Sequence, residues 1–204
     1  MLHSRSSSKT GQAAAENDSE KALVRRAAAG DHAAFREIVS SYRNAVFTLV
    51  LRQVGSHCVA EELAQEIFVK AYLHMNTFRF ESRFSTWLTR IALNHTNSYF
   101  ASRRYKQSSR TEEFKPEIHA EGGESPEALM ERKERMARFR AGLAALSPKL
   151  RDALTLCALE GRSYEEAAEV MKVPVGTVRS RLNKARLQLK EIVGGDEKGG
   201  GHVR

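Results

Sequence analysis

Cysteine is scarce. Cys58 and Cys157 stand alone in 204 residues, with no C-x-x-C pair and no Cys/His spacing of the kind that holds zinc. A disulfide framework and a zinc site are therefore not expected, and both thiols read as buried groups in a reducing compartment. Long apolar runs are missing too: none approaches the ~20 residues that span a bilayer, so no membrane insertion is expected. The opening "MLHSRSSSKTGQAAAENDSE" lacks the apolar centre of a secretory signal, which points to the cytoplasm. No stretch alternates apolar and polar residues as a half-buried strand does, so the expected class is all-α. There is no G-x-x-x-x-G-K-[ST] loop, no metal-ligand cluster and no paired carboxylates placed for acid–base work. Neither a cofactor nor enzyme activity is expected.

What the chain has is positive charge. Lys and Arg outnumber Asp and Glu by 33 to 25, the formal net charge is +8, and the pI is about 9.7. A polyanionic partner follows, although charge alone does not separate nucleic acid from an anionic membrane.

Only four prolines occur, and two of them lie in "YKQSSRTEEFKPEIHAEGGESPE", Tyr105 to Glu127. This polar stretch has no periodic apolar face and reads as a tether. It divides the chain into a disordered tail (1–19), a helical domain (20–106), a flexible linker (107–127), a second helical domain (128–194) and a second disordered tail (195–204).

The first domain reads as four helices: about Glu20–Ala29 ending at Gly30, Asp31–Gln53, about Val59–Met75, and about Ser85–Arg104. In the second, Ser125 and Pro126 suit the N-cap and first position of a helix, as do Ser147 and Pro148. Ser163 and Glu166 form an S-x-x-E capping box, opening a short helix over Tyr164 to about Met171. Lys172 and Val173 make a turn, and Pro174 begins the next helix. This is the layout of a helix-turn-helix, whose second helix enters the major groove.

Winding that helix at 100° per residue puts Val175, Val178, Leu182, Ala185, Leu189 and Ile192 on one face, the core side. Opposite lie Gly176, Arg179, Ser180 and Asn183, with Thr177 and Lys184 beside them and Arg181 and Arg186 flanking the apolar stripe. Arginine takes a guanine edge bidentately and asparagine an adenine edge, while lysine and serine hold phosphate. The apolar stripe is too narrow, and the polar face too rich in base readers, for a membrane-surface helix.

The helix from Ser85 aligns Arg90, Asn94, Asn97, Ala101 and Arg104 opposite an apolar face holding His95, which reads as a satisfied core histidine. Just before it, "FRFESRFSTW" interleaves Phe78, Phe80, Phe84 and Trp87 with Arg79 and Arg83, a pattern suited to stacking unpaired bases. Phe84 and Trp87 read as anchors to the core and Phe80 as exposed. The helix "VAEELAQEIFVKAYLHM" differs: its outer face shows Glu62, Gln65, Glu66, Val69 and Tyr72. An acidic face with exposed apolar groups suits a protein partner better than DNA.

In this order, "AEELAQEIFVKAYLHMNTFRFESRFSTWLTRIALNHTNSYFASRR" resembles region 2, and "LSPKLRDALTLCALEGRSYEEAAEVMKVPVGTVRSRLNKAR" resembles region 4, of the extracytoplasmic-function (group IV) sigma factors of the sigma-70 family. The resemblance covers about Leu23 to Leu189. It implies a protein that directs core RNA polymerase to promoters. The outer face with Glu62, Gln65, Glu66, Val69 and Tyr72 would dock on the β′ clamp helices, with the β flap as a further contact. Phe78, Arg79, Phe80, Arg83 and Asn94 would hold a flipped base of the single-stranded −10 element, with Arg90, Asn97 and Arg104 on nearby duplex or backbone. Arg179, Ser180, Asn183 and Lys184, beside Thr177, would read the double-stranded −35 element, with Arg181 and Arg186 on phosphate or in packing. It also implies a tether threading toward the polymerase channels and control by an anti-sigma factor in a stress or envelope response. One departure stands out: the family usually has glycine after "FR", where Phe80 stands here. The competing reading is a stand-alone helix-turn-helix regulator, which needs neither docking face nor aromatic loop.

Overall fold

A computed structural model describes residues 18–109 and 125–194, with 104–109, 126 and 194 described by backbone alone. Both expected tails fall almost wholly outside these residues, as does the tether from 110 to 124. Among the described residues the architecture is all helix.

Four helices build the first half: α1 (residues 18–28), α2 (His32–Val54), α3 (His57–His74) and α4 (Phe84–Ser109), with a 3₁₀ turn, Met75–Thr77, after α3. Each boundary has a local cause. Gly30 takes a left-handed φ of 94° to end α1. Asp31 then caps α2 by accepting from the amides of Ala33 and Ala34, and holds the turn through the guanidinium of Arg26. Those hydrogen bonds, the Ala34 amide first and the Arg26 guanidinium next, hold the Asp31 carboxyl below its ordinary range. Gly55 closes α2 in the left-handed region, and Ser56 caps α3. Ile38, Val50, Leu63, Ile67, Leu88 and Leu93 pack between α2, α3 and α4. Burying one such side chain is worth roughly 1.5–3 kcal/mol, so this cluster carries the first half.

The second half comprises α5 (Pro126–Ala145), α6 (Pro148–Leu154) continued by a π-helix (Thr155–Leu159), α7 (Tyr164–Met171) and α8 (Val175–Gly194). Ser125 caps α5 by accepting from the Ala128 amide, with Pro126 at the first position. Leu143, Leu146, Leu150, Leu154, Leu182 and Ala185 form its core. Arg151 sits inside this half, 1% exposed, and its guanidinium donates to the carbonyls of Leu143, Ala144 and Leu146 at 2.8, 3.2 and 2.8 Å. It thereby adds charged donors to carbonyls at the C-terminal end of α5, where the helix supplies few amides.

Four sequence expectations are corrected. Helix α4 runs to Ser109 and α5 starts at Pro126, so helix occupies both ends of the expected 107–127 linker. Ile192 is 44% exposed rather than core, lying at the edge of the contact with α5 near Gly142. Cys58 is exposed on the first turn of α3. Above all, the two halves are packed together: Leu156, Ala167, Ala168, Val170 and Val178 belong to the same buried apolar cluster as Leu88 and Leu93.

Candidate nucleic-acid interfaces and docking face

The helix-turn-helix is built as its caps dictate. Ser163 accepts from the Glu166 amide at 3.1 Å while the Glu166 carboxylate accepts from the Ser163 amide at 2.9 Å. Lys172 turns the chain with a left-handed φ of 52°. The Pro174 carbonyl then accepts from the amides of Thr177 and Val178 as α8 begins. Val178, Leu182 and Ala185 are buried, which turns Arg179, Ser180, Asn183, Lys184 and Arg186 outward. Thr177 and Arg181 are half-buried at the edges, and Arg181 faces the first half. The Arg179 guanidinium lies 5.6 Å from the Tyr164 ring centroid, which aims it from beneath. A side chain at Gly176 would meet nothing within 4 Å, so packing does not demand its glycine; what it leaves is room on the exposed face.

The aromatic loop is a packed cluster. The Phe78 ring lies 4.8 Å from Phe80, 5.6 Å from Phe84 and 5.4 Å from Trp87, and Phe84 is buried, so Phe84 and Trp87 are anchors. Phe80 differs from expectation: it is half-buried, against Phe78 and beneath the Arg25 guanidinium at 5.1 Å. Its φ is 59°, the left-handed region where glycine is at ease and other residues are strained by about 1–2 kcal/mol. The glycine that the resemblance leads one to expect here would take this φ without strain; instead ring packing holds a strained phenylalanine. Arg79 and Arg83 remain exposed. Between this loop and α1 is a cavity of about 20 Å³, lined by Glu20, Val24, Phe78 and Phe80 among others, with room for about one water and none for a base. Tyr42 donates to the Glu20 carboxylate there, and burial pushes the Glu20 pKa up against the opposing pull of Arg83.

Along α4 the expected line of readers is split. Asn94 is exposed. Arg90 is bound by the second half: its Nε donates to the Val170 carbonyl at 2.9 Å and its Nη2 to the Glu169 carbonyl at 2.6 Å. Asn97 donates to the Asp152 carboxylate and accepts from Arg151, each at 2.9 Å. The Arg104 side chain lies outside the described residues. Arg90, Asn94, Lys149, Asp152, Lys172 and Arg181 line a cleft of about 550 Å³ between the halves.

On α3, Leu63, Ala64, Ile67 and Phe68 face inward, leaving Glu62, Gln65, Glu66, Val69 and Tyr72 exposed as a group. Val69 is 59% exposed, and Leu73, missing from the sequence-based set, is 66% exposed beside it. Tyr72 is steadied by Phe35, 5.0 Å between centroids, and by His32 Nδ1 at 3.3 Å. His95 is only partly the satisfied core histidine expected: its Nε2 pairs with the Glu66 carboxylate, while its buried Nδ1 has no partner.

Sequence reasoning missed Arg52, Arg151 and Arg162, which join the halves. Among the described residues, no helix is long and apolar enough to cross a membrane, and no group of three or more His, Cys, Asp and Glu is placed to hold a metal ion.

The family models for Sigma-70 region 2 and for Sigma-70, region 4 match residues 38–105 and 136–189. The chain is 40% identical over 175 residues to RNA polymerase sigma-H factor of Pseudomonas aeruginosa, covering 83% of this chain and 91% of that one. It is 41% identical over 178 residues to the ECF RNA polymerase sigma-E factor of Escherichia coli, covering 84% and 92%. Among solved structures it is similar to CnrH in complex with the cytosolic domain of CnrY (TM-score 0.57, 26% identity, 87% of this chain and 98% of that one). It is also similar to the sigma factor RpoE of Bartonella quintana in complex with the anti-sigma factor NepR (TM-score 0.55, 27% identity, 79% and 98%). With both regions matched in order and identity near two-fifths over most of its length, the chain belongs to the extracytoplasmic-function sigma factors of the sigma-70 family.

Proposed function

We propose that this sigma factor directs core RNA polymerase to promoters through three separate surfaces. Arg179, Ser180, Asn183 and Lys184, flanked by Thr177, Arg181 and Arg186, read and hold the −35 duplex in the major groove. Phe78, Arg79, Phe80, Arg83 and Asn94 take a base of the −10 element out of the stack, with Arg90, Asn97 and Arg104 on the adjoining backbone. Glu62, Gln65, Glu66, Val69 and Tyr72, extended by Leu73, dock on the β′ clamp helices, and the β flap serves the second half. The observation that carries this reading is the outward face of α8, which presents base-reading side chains over a buried apolar stripe.

The protein is not itself an enzyme; polymerase supplies the chemistry. This chain supplies choice and strand opening. Unpairing and bending cost a few kcal/mol, least at flexible pyrimidine–purine steps. Base–aromatic stacking at about 1–3 kcal/mol per base offsets that cost. The protein works in the cytoplasm, beside polymerase and chromosome, and is held inactive by an anti-sigma factor until a stress or envelope signal releases it. The similarity to the sigma factor RpoE solved in complex with the anti-sigma factor NepR supports that control.

Run-off transcription with core polymerase on genomic fragments tests the reading and yields the promoter sequence. Tight sequence-specific duplex binding without polymerase, and no co-purification with core enzyme, would instead favour a stand-alone helix-turn-helix regulator.

A further inference from the structure

A cavity of about 320 Å³ lies where the end of α2, the later part of α4 and the helix α5 meet. Small-molecule sites run to roughly 300–1,000 Å³ and have apolar walls with a few placed polar groups. This one is built in that way. Tyr99 and Phe100 make an aromatic corner, their ring centroids 5.8 Å apart and their planes at 65°. On the α5 side the lining is alanine: Ala137, Ala141, Ala144 and Ala145 recur at helical spacing, with Ala141 and Ala145 exposed at the lip. Flat rings on one wall and short side chains on another leave a slot.

Two polar groups of the lining lack partners. Gln53, 1% exposed, lies at the floor, and neither its amide nitrogen nor its carbonyl oxygen has a hydrogen-bond partner among the described residues. Arg140 reaches from α5 to the end of α2, where a side chain on Gly55 would collide with its Nε. Its Nη1 is buried with no acceptor among the described residues, and burial pulls its pKa below the ordinary arginine range. Arg103 adds a second cation to the wall, its Nη1 donating to the Tyr99 hydroxyl at 2.8 Å. Among the described residues, no acidic side chain lines the cavity.

Burying an amide or a guanidinium without partners is costly, and one kind of ligand meets both. A carboxylate accepts from Arg140 Nη1 and from the Gln53 amide nitrogen, while a hydroxyl donates to the Gln53 oxygen. A flat apolar body takes the slot. We propose that this cavity binds a small aromatic carboxylate that carries a hydroxyl group. None of its lining residues is assigned to DNA or polymerase, so the site stands apart from the promoter reading.

Calorimetric titration of the full chain with 6-hydroxy-2-naphthoate tests it, with 2,6-dihydroxynaphthalene as the uncharged counterpart. The acid should bind saturably, one to one, and about tenfold more tightly than the diol. Arg140→Met keeps the side chain's length without its charge and should bring the two ligands to equal affinity. Gln53→Leu should weaken the acid about tenfold, yet raise the thermal midpoint of the ligand-free protein, because it removes unpaired buried groups. Ala141→Phe, at the exposed lip, should block binding and leave the helical circular dichroism unchanged; it decides the matter even if Arg140→Met does not fold. Three results would each overturn the site: no saturable binding, equal affinity of the wild type for acid and diol, or acid binding undiminished by Ala141→Phe.

Discussion

Arg151 donates across the boundary between the halves, from Nη1 to Asn97 Oδ1 at 2.9 Å, while its guanidinium lies 4.1 Å from the Phe100 ring centroid. The same side chain closes the end of α5 and reaches α4, so one residue serves both the fold of the second half and its position.

Replacing it separates the two roles. Arg151→Leu fills the volume but removes the guanidinium donors from the carbonyls of Leu143, Ala144 and Leu146 at a buried site, each bond worth about 1–3 kcal/mol. The expected loss is about 2–5 kcal/mol in urea unfolding. Arg151→Lys keeps the charge without the fork and loses less than Arg151→Leu, but remains less stable than wild type.

At Phe80 backbone and ring oppose each other. Phe80→Ala loses the packing on Phe78 and Arg25 while keeping the strained φ of 59°. Phe80→Gly loses the same packing and relieves the strain. The glycine variant is expected to be the more stable of the two by about 1 kcal/mol, a difference read from thermal midpoints. Equal midpoints would mean that the backbone relaxes when the ring is removed.

Asp152 gives the boundary a pH dependence. Burial pushes its carboxyl above the ordinary range, against the opposing hydrogen bond from Asn97 and the charges of Arg151 and Arg181. A carboxylate raised in the folded state holds a proton that the unfolded chain has lost. Its contribution to stability is therefore most favourable at low pH and declines as pH rises from the ordinary carboxylate range through the raised value. Asp152→Asn, neutral throughout, keeps an oxygen for Asn97 and removes that decline. The difference in thermal midpoint between variant and wild type should grow in favour of the variant toward neutral pH. A difference independent of pH would contradict the assignment.

The two promoter grips should fail differently. Arg179→Ala is expected to cost about 1–3 kcal/mol at one base position of the −35 element, whereas equal loss on all sequences would mark a phosphate contact. Asn94→Ala should leave initial binding largely intact and weaken opening, seen as lost permanganate reactivity near −10.

What the sequence made legible was local. The Ser163–Glu166 capping box, the Ser125–Pro126 start and the buried stripe of α8 each follow from residues within a few positions of one another. The face with Val69 and Tyr72 was legible as an anomaly of polarity on one helix. The packing of the halves was not. Arg52 and Glu160 are 108 positions apart, and each alone looks like a solvated charge. Arg90 bonds to main-chain carbonyls, which every residue possesses and no side chain advertises. Phe80 escaped because charged neighbours suggest exposure, whereas its positive φ folds the ring back onto Phe78.

The π-helix at Thr155–Leu159 has a geometric consequence. Its Glu160 amide reaches back five residues, to the Thr155 carbonyl at 2.9 Å, so this turn holds one residue more than an α-turn. One residue of α-helix is about 100° of rotation, so regular winding from Pro148 would swing Leu159 and Glu160 around the axis and away from Arg52. The extra residue works like one tooth on a gear. The azimuth at which the second half meets the rest of the molecule is set by the number of residues in a single turn, and deleting one there would re-aim that half as a body.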